Sequence, residues 1–277
     1  MVKFSPSILV TGVALATSGL SATHAVAAFA TSVVSYTPGS ATTSNPTYTD
    51  ASSSLGAPAP IVAAGSPWSN VLSPFSPAYE AAHLVVIGDG GQLTLRLSEP
   101  VTVGAGREIG VISNVGLIDS DYPKGSAAGG TFGGGVAEVR VSANGIDFVS
   151  LGDVTFDGPA SYYTNAGPYD SAAPANPQVS DFNKPFNGSA SFDGQSYAQV
   201  VQTLGGSIGG TWIDVSPSGL TSVQYVQFVV ANDGDPGTKL AIDAVTSVPE
   251  PATLGGLLGA AALLVRRSRP RRSARSA

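Results

Sequence analysis

Between residues 82 and 245, apolar and polar side chains alternate in short bursts and do not recur at helical spacing. Gln92-Leu93-Thr94-Leu95-Arg96-Leu97 puts three leucines on one side and Gln, Thr and Arg on the other, the two-residue period of a strand with one buried face. Similar runs, alternating or rich in Val, Ile, Phe and Tyr and bounded by turn residues, cover 82–87, 109–113, 137–141, 148–151, 223–231 and 239–245. No long internal stretch carries a 3.6-residue apolar period, and strands do not alternate with helices. The pattern predicts an all-β fold of antiparallel sheets, a sandwich and not a parallel sheet. Ser142-Ala143-Asn144-Gly145-Ile146-Asp147 is the sharpest turn signal, since Asn-Gly suits the positive dihedrals of a two-residue type I′ hairpin. Within about 119–135 the Gly- and Ala-rich run Gly125 to Gly135 reads as a surface loop, and so does Asp157 to Gly194 with its Pro, Asn, Ser and Asp. No internal repeat of fixed period is present.

The two ends break this pattern. Lys3 precedes an apolar stretch from Ile8 to Leu20, followed by small residues at Ala25-Val26-Ala27 and Ala28-Phe29-Ala30. This is the layout of a secretory signal peptide, placed at 1–27, read by the Sec translocon and signal peptidase, with the mature chain starting near Ala28 or Thr31. The C-terminal segment 248–277 holds Val248-Pro249-Glu250-Pro251, an apolar run over 252–265, and six arginines from Arg266 to Arg275. Pro249 and Pro251 lack amide hydrogens and impose an extended backbone that a protease can read. Arg266, Arg267, Arg269, Arg271 and Arg272 cannot follow the apolar run across a bilayer, so the extreme C-terminus is expected to stay cytoplasmic and the rest to face outward. Fourteen residues rise about 21 Å as a helix against a hydrocarbon core of roughly 30 Å. A short hydrophobic helix of that length suits transient membrane association better than a permanent anchor, which stays the plainer alternative.

A VPEP box, a Gly/Leu/Ala-rich segment and an Arg cluster in that order resemble the PEP-CTERM sorting signal of exported bacterial proteins. The resemblance covers residues 248–277. It implies that an exosortase cuts near the box, with Pro249, Glu250 and Pro251 as the recognition element, and that the protein accompanies exopolysaccharide.

Charge narrows the partners of the exported part. All 19 acidic residues lie between Asp50 and Glu250, opposed there by Arg96, Arg107, Lys124, Arg140, Lys184 and Lys239, so the balance is 6 − 19 = −13. Phosphate binding needs a basic face, so a nucleic-acid partner is excluded, whereas neutral glycans or divalent cations are compatible. There is no cysteine, hence no disulfide, thiol nucleophile or thiolate metal site.

Candidate chemistry is thin. Gly205-Gly206-Ser207-Ile208-Gly209 fits the G-x-S-x-G pattern of nucleophile elbows, but the only histidines, His24 and His83, both precede it, so glycine-rich coil is the better reading. His83 falls in a predicted strand. Two carboxylates at the right separation would suffice for a glycosidase, yet 19 acids make such a pair uninformative. Trp68 and Trp212 read as core residues, and Tyr162, Tyr163 and Tyr169 as loop aromatics able to stack on sugar faces. Asp119-Ser120-Asp121 and Asp233-Gly234-Asp235 are paired carboxylates of the kind Ca²⁺ takes, with turn formation as the plain alternative. Asn187-Gly188-Ser189 reads as an ordinary turn.

Tyr48 to Pro58, Gly88 to Leu97, Pro100 to Gly106, Val139 to Leu151 and Leu240 to Val245 resemble, in their order, exported surface proteins with a galactose-binding-like, discoidin-type domain. That likeness implies an antiparallel jelly-roll β-sandwich over 28–247, with ligands at loop ends or on a concave face. It also implies that Asp243 stands where such modules sometimes hold a structural Ca²⁺, alongside Asp233 and Asp235. The function expected from these readings is a non-catalytic surface or matrix protein with structural or adhesive polysaccharide contact. A secreted carbohydrate-active enzyme and a stably anchored membrane protein are the alternatives.

Overall fold

The structure, a computed structural model, describes residues 28–40, 48–62, 69–104, 106–186 and 191–248. The signal segment, the Pro-Glu-Pro box, the apolar tail and its arginines lie outside the described residues, as do Trp68 and Asn187-Gly188-Ser189. Strands are numbered along the chain.

Two antiparallel sheets face each other. In the first, β10 (Val149–Phe156), β9 (Gly135–Ser142), β12 (Ser222–Val229), β5 (Gln92–Thr102) and β1 (Ala28–Thr37) follow in that order. In the second, β11 (Thr211–Ile213), β6 (Ile109–Ser113) and β13 (Lys239–Ser247) are neighbours, and β4 (Val85–Gly88) lies along the free side of β13. β1 belongs to both: Ala28 and Phe29 pair with β13, and Ala30 onward pairs with β5, with register shifts between Ala30 and Ser32 and between Val33 and Ser35. Bulges of this kind bend a strand and let it turn the corner between sheets.

The alternation seen in the sequence explains the first sheet. Leu93, Leu95 and Leu97 are fully buried and lie beside Val139, Val141, Val226 and Phe228 of the neighbouring strands on the inner side of the same sheet, within the core between the sheets. Each leucine so buried stabilises the fold by roughly 1.5–3 kcal/mol. On the opposite side one row of cross-strand partners, Ser35, Thr94, Gln227, Arg140 and Ser150, traverses all five strands. That side is polar and tied together by bonds such as Gln227 Nε2 to Thr94 Oγ1 at 2.8 Å.

The second sheet follows a different rule. All of β6 and nearly all of β13 are buried, as expected of strands covered on both faces. The inner side carries Ile109, Val111, Leu240, Ile242 and Val245, and the outer side carries Ile112 and Ala244. The cover comes from residues 157–210. There Ala160, Phe186, Leu204 and Ile208 pack with Ile112 and Trp212, and Phe182 and Tyr162 meet edge to face with ring centroids 5.4 Å apart.

Several expectations are corrected here. The stretch 157–194 has no helix or regular strand among its described residues, as expected of a loop, and 171–179 are almost all exposed; but 159–166 and 180–186 help to cover the second sheet, with Ser161 and Ser180 buried and bonded, Ser180 Oγ donating to Ser161 O at 2.7 Å. Within 125–135, β8 (Ala127–Phe132) pairs with β7 (Gly116–Asp119), so much of that loop is a hairpin arm. The Asn144-Gly145 turn is wider than two residues, because β9 ends at Ser142 and β10 starts at Val149. Asn144 Oδ1 accepts the amides of Ile146 and Asp147, both at 2.9 Å, so this side chain folds the longer connection. His83 sits in a turn before β4, its amide bonded to Glu80 O, and not in a strand. A short pair, β2 (Ile61–Val62) and β3 (Asn70–Val71), one α-helix, α1 (Tyr197–Leu204), and two 3-10 turns, Ala51–Ser54 and Ser216–Ser218, complete the described elements.

The helix has local causes that its length hides. The Ser196 amide donates to Gln199 Oε1 at 2.9 Å, Val200 and Leu204 stack on its buried side, and Gly205, at φ 61°, ends it by donating to Val201 O. Eight residues supply only two buried positions, too few for a visible period.

Candidate functional site

β10 and β11 are the outermost strands of the first and second sheet, and three hollows lie between them or next to them. One, of about 340 Å³, has Leu151, Ile213, Trp212 and Phe186 in its lining, with Asp153, Asp157, Asp214 and Arg107 as its charged groups. A second, of about 240 Å³, shares Asp157, Gly158 and Phe186 with it and continues to Thr131, Ser191 and Asp193. A third, of about 560 Å³, shares Asp153 with the first and runs past Glu138 to Asp233 and Lys239. Linked through these shared residues, they make an acid-rimmed trough beside β10.

The sequence around β10 and β11 makes this trough. β10 reads VSLGDVTF, with Asp153 and Thr155 exposed and Phe156 buried against Phe228, ring centroids 5.9 Å apart. Gly158 brings the chain onto β11: a Cβ there would stand 2.3 Å from Gly210 O. Its amide donates to Thr211 Oγ1 at 3.2 Å. β11 is only three residues long because Asp214 turns the chain by accepting the Ser216 amide at 2.8 Å. Those bonds to Ser216, and the charge of Arg107, hold the Asp214 carboxyl below the usual carboxylate range. The Arg107 guanidinium is fixed by donating to Trp212 O at 3.0 Å. The trough thus offers carboxyl acceptors, one fixed guanidinium, threonine hydroxyls and a partly apolar floor, a set that can accept hydrogen bonds from hydroxyl-rich ligands.

The residues singled out from sequence fall in different places. Trp212 is buried in β11 and its indole N–H donates to Gly209 O at 2.8 Å, so it forms wall and core and not a stacking platform. Tyr163 is buried and Tyr162 half-buried in the covering layer. Tyr169 donates its hydroxyl to Asp119 Oδ2 at 3.0 Å. Ser207 follows a helix where an elbow would precede one, and its hydroxyl donates to Lys184 O at 2.6 Å. Pro249, Glu250, Pro251, Arg266, Arg267, Arg269, Arg271 and Arg272 lie outside the described residues. Val248, the last described residue, donates its amide to Glu108 O at 2.9 Å.

The paired aspartates are turn formers. Asp119 accepts the amides of Asp121, Ser126 and Gly125 besides the Tyr169 hydroxyl. Burial raises its pKa, and these donors, Ser126 foremost, outweigh that and leave it lowered. Asp233 accepts from the Asp235 amide at 2.8 Å and the Thr238 hydroxyl at 3.0 Å, and Asp235 accepts from the Gly237 amide at 2.8 Å. The loop itself hangs from buried Asp89, whose Oδ1 takes the amides of Asp233 and Gly234.

Asp243 is elsewhere, buried in β13 as the extra residue of a bulge opposite β6. Its Oδ2 and the Oγ of nearby Ser113 have no hydrogen-bond partner among the described residues. Burial pushes the Asp243 carboxyl up to about 8. Asp233, Asp235 and Asp243 therefore do not converge, and no group of three or more acidic or histidine side chains suited to a metal assembles among the described residues. A Ca²⁺ cage built from these three carboxylates does not fit the geometry, since two of them serve their own loop and the third is a buried, largely protonated acid.

Sequence reasoning missed the trough residues Asp153, Asp157, Asp214 and Arg107. Nothing local marks them: they are isolated charged residues with no shared spacing, and only the placing of β10 and β11 in separate sheets sets them around one hollow. The chain matches no protein-family model and no curated protein.

Proposed function

We propose that the protein is a non-catalytic, exported surface or matrix component that contacts neutral polysaccharide through the trough along β10. The observation that carries the reading is the lining of that trough: three hollows linked by shared residues and rimmed by Asp153, Asp157, Asp193, Asp214 and Asp233. Several linked hollows suit an extended polymer better than a compact small molecule, and carboxylates accept the hydroxyl donors that sugars present. The acidic rim disfavours anionic ligands by like charge.

The export half of the reading rests on the sequence of the two ends. A signal peptide delivers the chain through the Sec translocon, the 248–277 segment holds it at the inner membrane, and an exosortase acts at Pro249-Glu250-Pro251. The ectodomain is read as a galactose-binding-like jelly roll, supported by five antiparallel strands facing four. The first and last strands of the domain, β1 and β13, also pair as neighbours.

The test of the binding half is affinity electrophoresis of the protein from its native cells through gels holding the producer's own matrix polysaccharide. Retardation is expected, and unaltered migration removes the adhesive role. For the export half, intact mass of the surface and medium fractions is expected to end near Pro251, whereas an intact arginine tail makes the protein stably anchored. One observation favours a second reading, a carbohydrate-active enzyme: Asp153, Asp157 and Asp214 line the same hollow. Release of reducing ends from matrix glycan, lost on changing one of the three, would establish it.

A further inference from the structure

Of the loop tyrosines expected to stack on sugars, Tyr163 is buried, Tyr162 is half-buried and Tyr169 is engaged with Asp119. The ring left open is that of Tyr122, which is 69% exposed, more than any other aromatic residue among those described. Tyr122 stands in the turn between β7 and β8, at the tip of an arm whose Leu117, Ala127 and Thr131 line the second hollow of the trough.

A single exposed apolar residue is ordinary and by itself signifies nothing. Here the fold holds the ring in place. Asp119 accepts the amides of Asp121, Gly125 and Ser126, on either side of Tyr122, at 2.9, 3.1 and 2.8 Å. The same carboxylate takes the Tyr169 hydroxyl at 3.0 Å, and the Tyr169 ring meets Tyr122 edge to face with centroids 4.9 Å apart. Tyr169 in turn packs against the cluster of Phe75, Leu117 and Val200. Gly125, at φ 77°, seats the turn on the layer beneath it: a Cβ there would stand 3.1 Å from Pro168 Cβ and from Tyr197 Cβ. Both the backbone that carries Tyr122 and the ring that props it are fixed from the core outward, so little freedom is lost when a ligand covers the exposed ring.

We infer that Tyr122 is a stacking platform for one sugar residue of the polysaccharide, a contact point beyond the trough. The inference rests on the polysaccharide reading given above. A pyranose presents a face of C–H groups that lies flat on an aromatic ring, and its rim of hydroxyls needs polar partners at the edge of that platform. Asp121 and Lys124, paired at 2.9 Å in the same turn with side chains 55% and 76% exposed, supply an acceptor and a donor. One tyrosine ring matches one sugar, whereas a stable protein interface needs roughly 800 Å² from each partner. Ile118 and Phe132 of the same arm are also exposed, so a second copy of this chain is the competing occupant.

The experiment is affinity electrophoresis of the full chain through gels holding the producer's own matrix polysaccharide, for wild type, Tyr122→Ala and Tyr122→Phe, with sedimentation velocity of each in the absence of glycan. Tyr122→Ala is expected to lower retention about threefold to tenfold, the range of one aromatic contact, and Tyr122→Phe to stay near wild type because it keeps the ring. All three are expected to sediment alike and to melt at the same temperature, since the side chain stands largely in solvent. Retention of Tyr122→Ala equal to wild type overturns the platform and leaves the trough reading intact. Unaltered migration of the wild type removes the polysaccharide reading and this inference with it. Equal losses in both variants assign the contact to the hydroxyl, and a wild-type dimer dissolved by Tyr122→Ala assigns the ring to a second copy; either result overturns the stacking.

Discussion

The indole of Trp212 lies against Gly110, its cross-strand partner, so closely that a Cβ on that glycine would stand 2.8 Å from the ring. Thr246 Cγ2 closes the other side at 2.9 Å. The absent side chain is what lets the ring sit flat on the second sheet and reach Gly209 O with its N–H. Gly110→Ala is expected to destabilise the protein by about 1–3 kcal/mol through overpacking, and Trp212→Ala by about 3–5 kcal/mol through the cavity left behind. Urea unfolding of the full chain measures both. A Gly110→Ala midpoint equal to wild type would show that the ring does not hold this position.

Asp243 makes stability depend on pH in an unusual direction. Its folded pKa of about 8 lies above the unfolded aspartate value near 3.9, so between these limits the native state holds a proton that the unfolded chain has released. Stability is therefore complete with respect to this group below about pH 4 and declines as pH rises toward 8, by up to roughly 5 kcal/mol. Asp119, Asp214 and Asp233 act oppositely: their folded pKa values are lowered, so their contribution is present above about pH 4 and is lost as pH falls. The melting temperature is expected to peak at mildly acidic pH, and Asp243→Asn to flatten the alkaline decline. An unchanged decline in that variant assigns the effect to another group.

Asp119 ties three amides and the Tyr169 hydroxyl into one turn between β7 and β8. Asp119→Ala leaves those donors without their acceptor and is expected to cost about 2–4 kcal/mol. Asp119→Asn, which retains one carbonyl oxygen, should cost less. Thermal unfolding at neutral pH orders the two, and equal losses would contradict the hydrogen-bond account.

Asp153 and Asp157 stand exposed on the trough and, among the described residues, accept no hydrogen bond that shapes the fold, unlike Asp214. The double variant Asp153→Asn, Asp157→Asn is expected to keep the wild-type melting temperature and to weaken polysaccharide retention about tenfold, near 1.4 kcal/mol for the pair. Retention unchanged by the double variant would move the contact surface elsewhere.

How much of this was legible in the chain differs from element to element. Leu93, Leu95 and Leu97 alternate with Thr94 and Arg96, and burial of one face of β5 follows from that spacing alone. The unbroken apolar run Leu240-Ala241-Ile242 marked β13 as a strand, and its continuity carried the further message that both faces are covered. The polar, proline-rich stretch 157–194 concealed its role because its apolar contributions, Ala160, Tyr163 and Phe186, are scattered without period. Helix α1 was hidden by its brevity.

The sequence by itself determined the antiparallel β class, the positions of seven strands and the distinct chemistry of the two ends, because those depend on side-chain period and local composition. Only the tertiary structure decided that β1 spans both sheets, that Ala28 meets Ser247, that Asp243 is buried away from Asp233 and Asp235, and that Asp153, Asp157 and Asp214 surround one trough. Each of these depends on which strand lies beside which, and strand pairing is fixed by the joint burial of residues far apart in the chain, a sum that no local window contains.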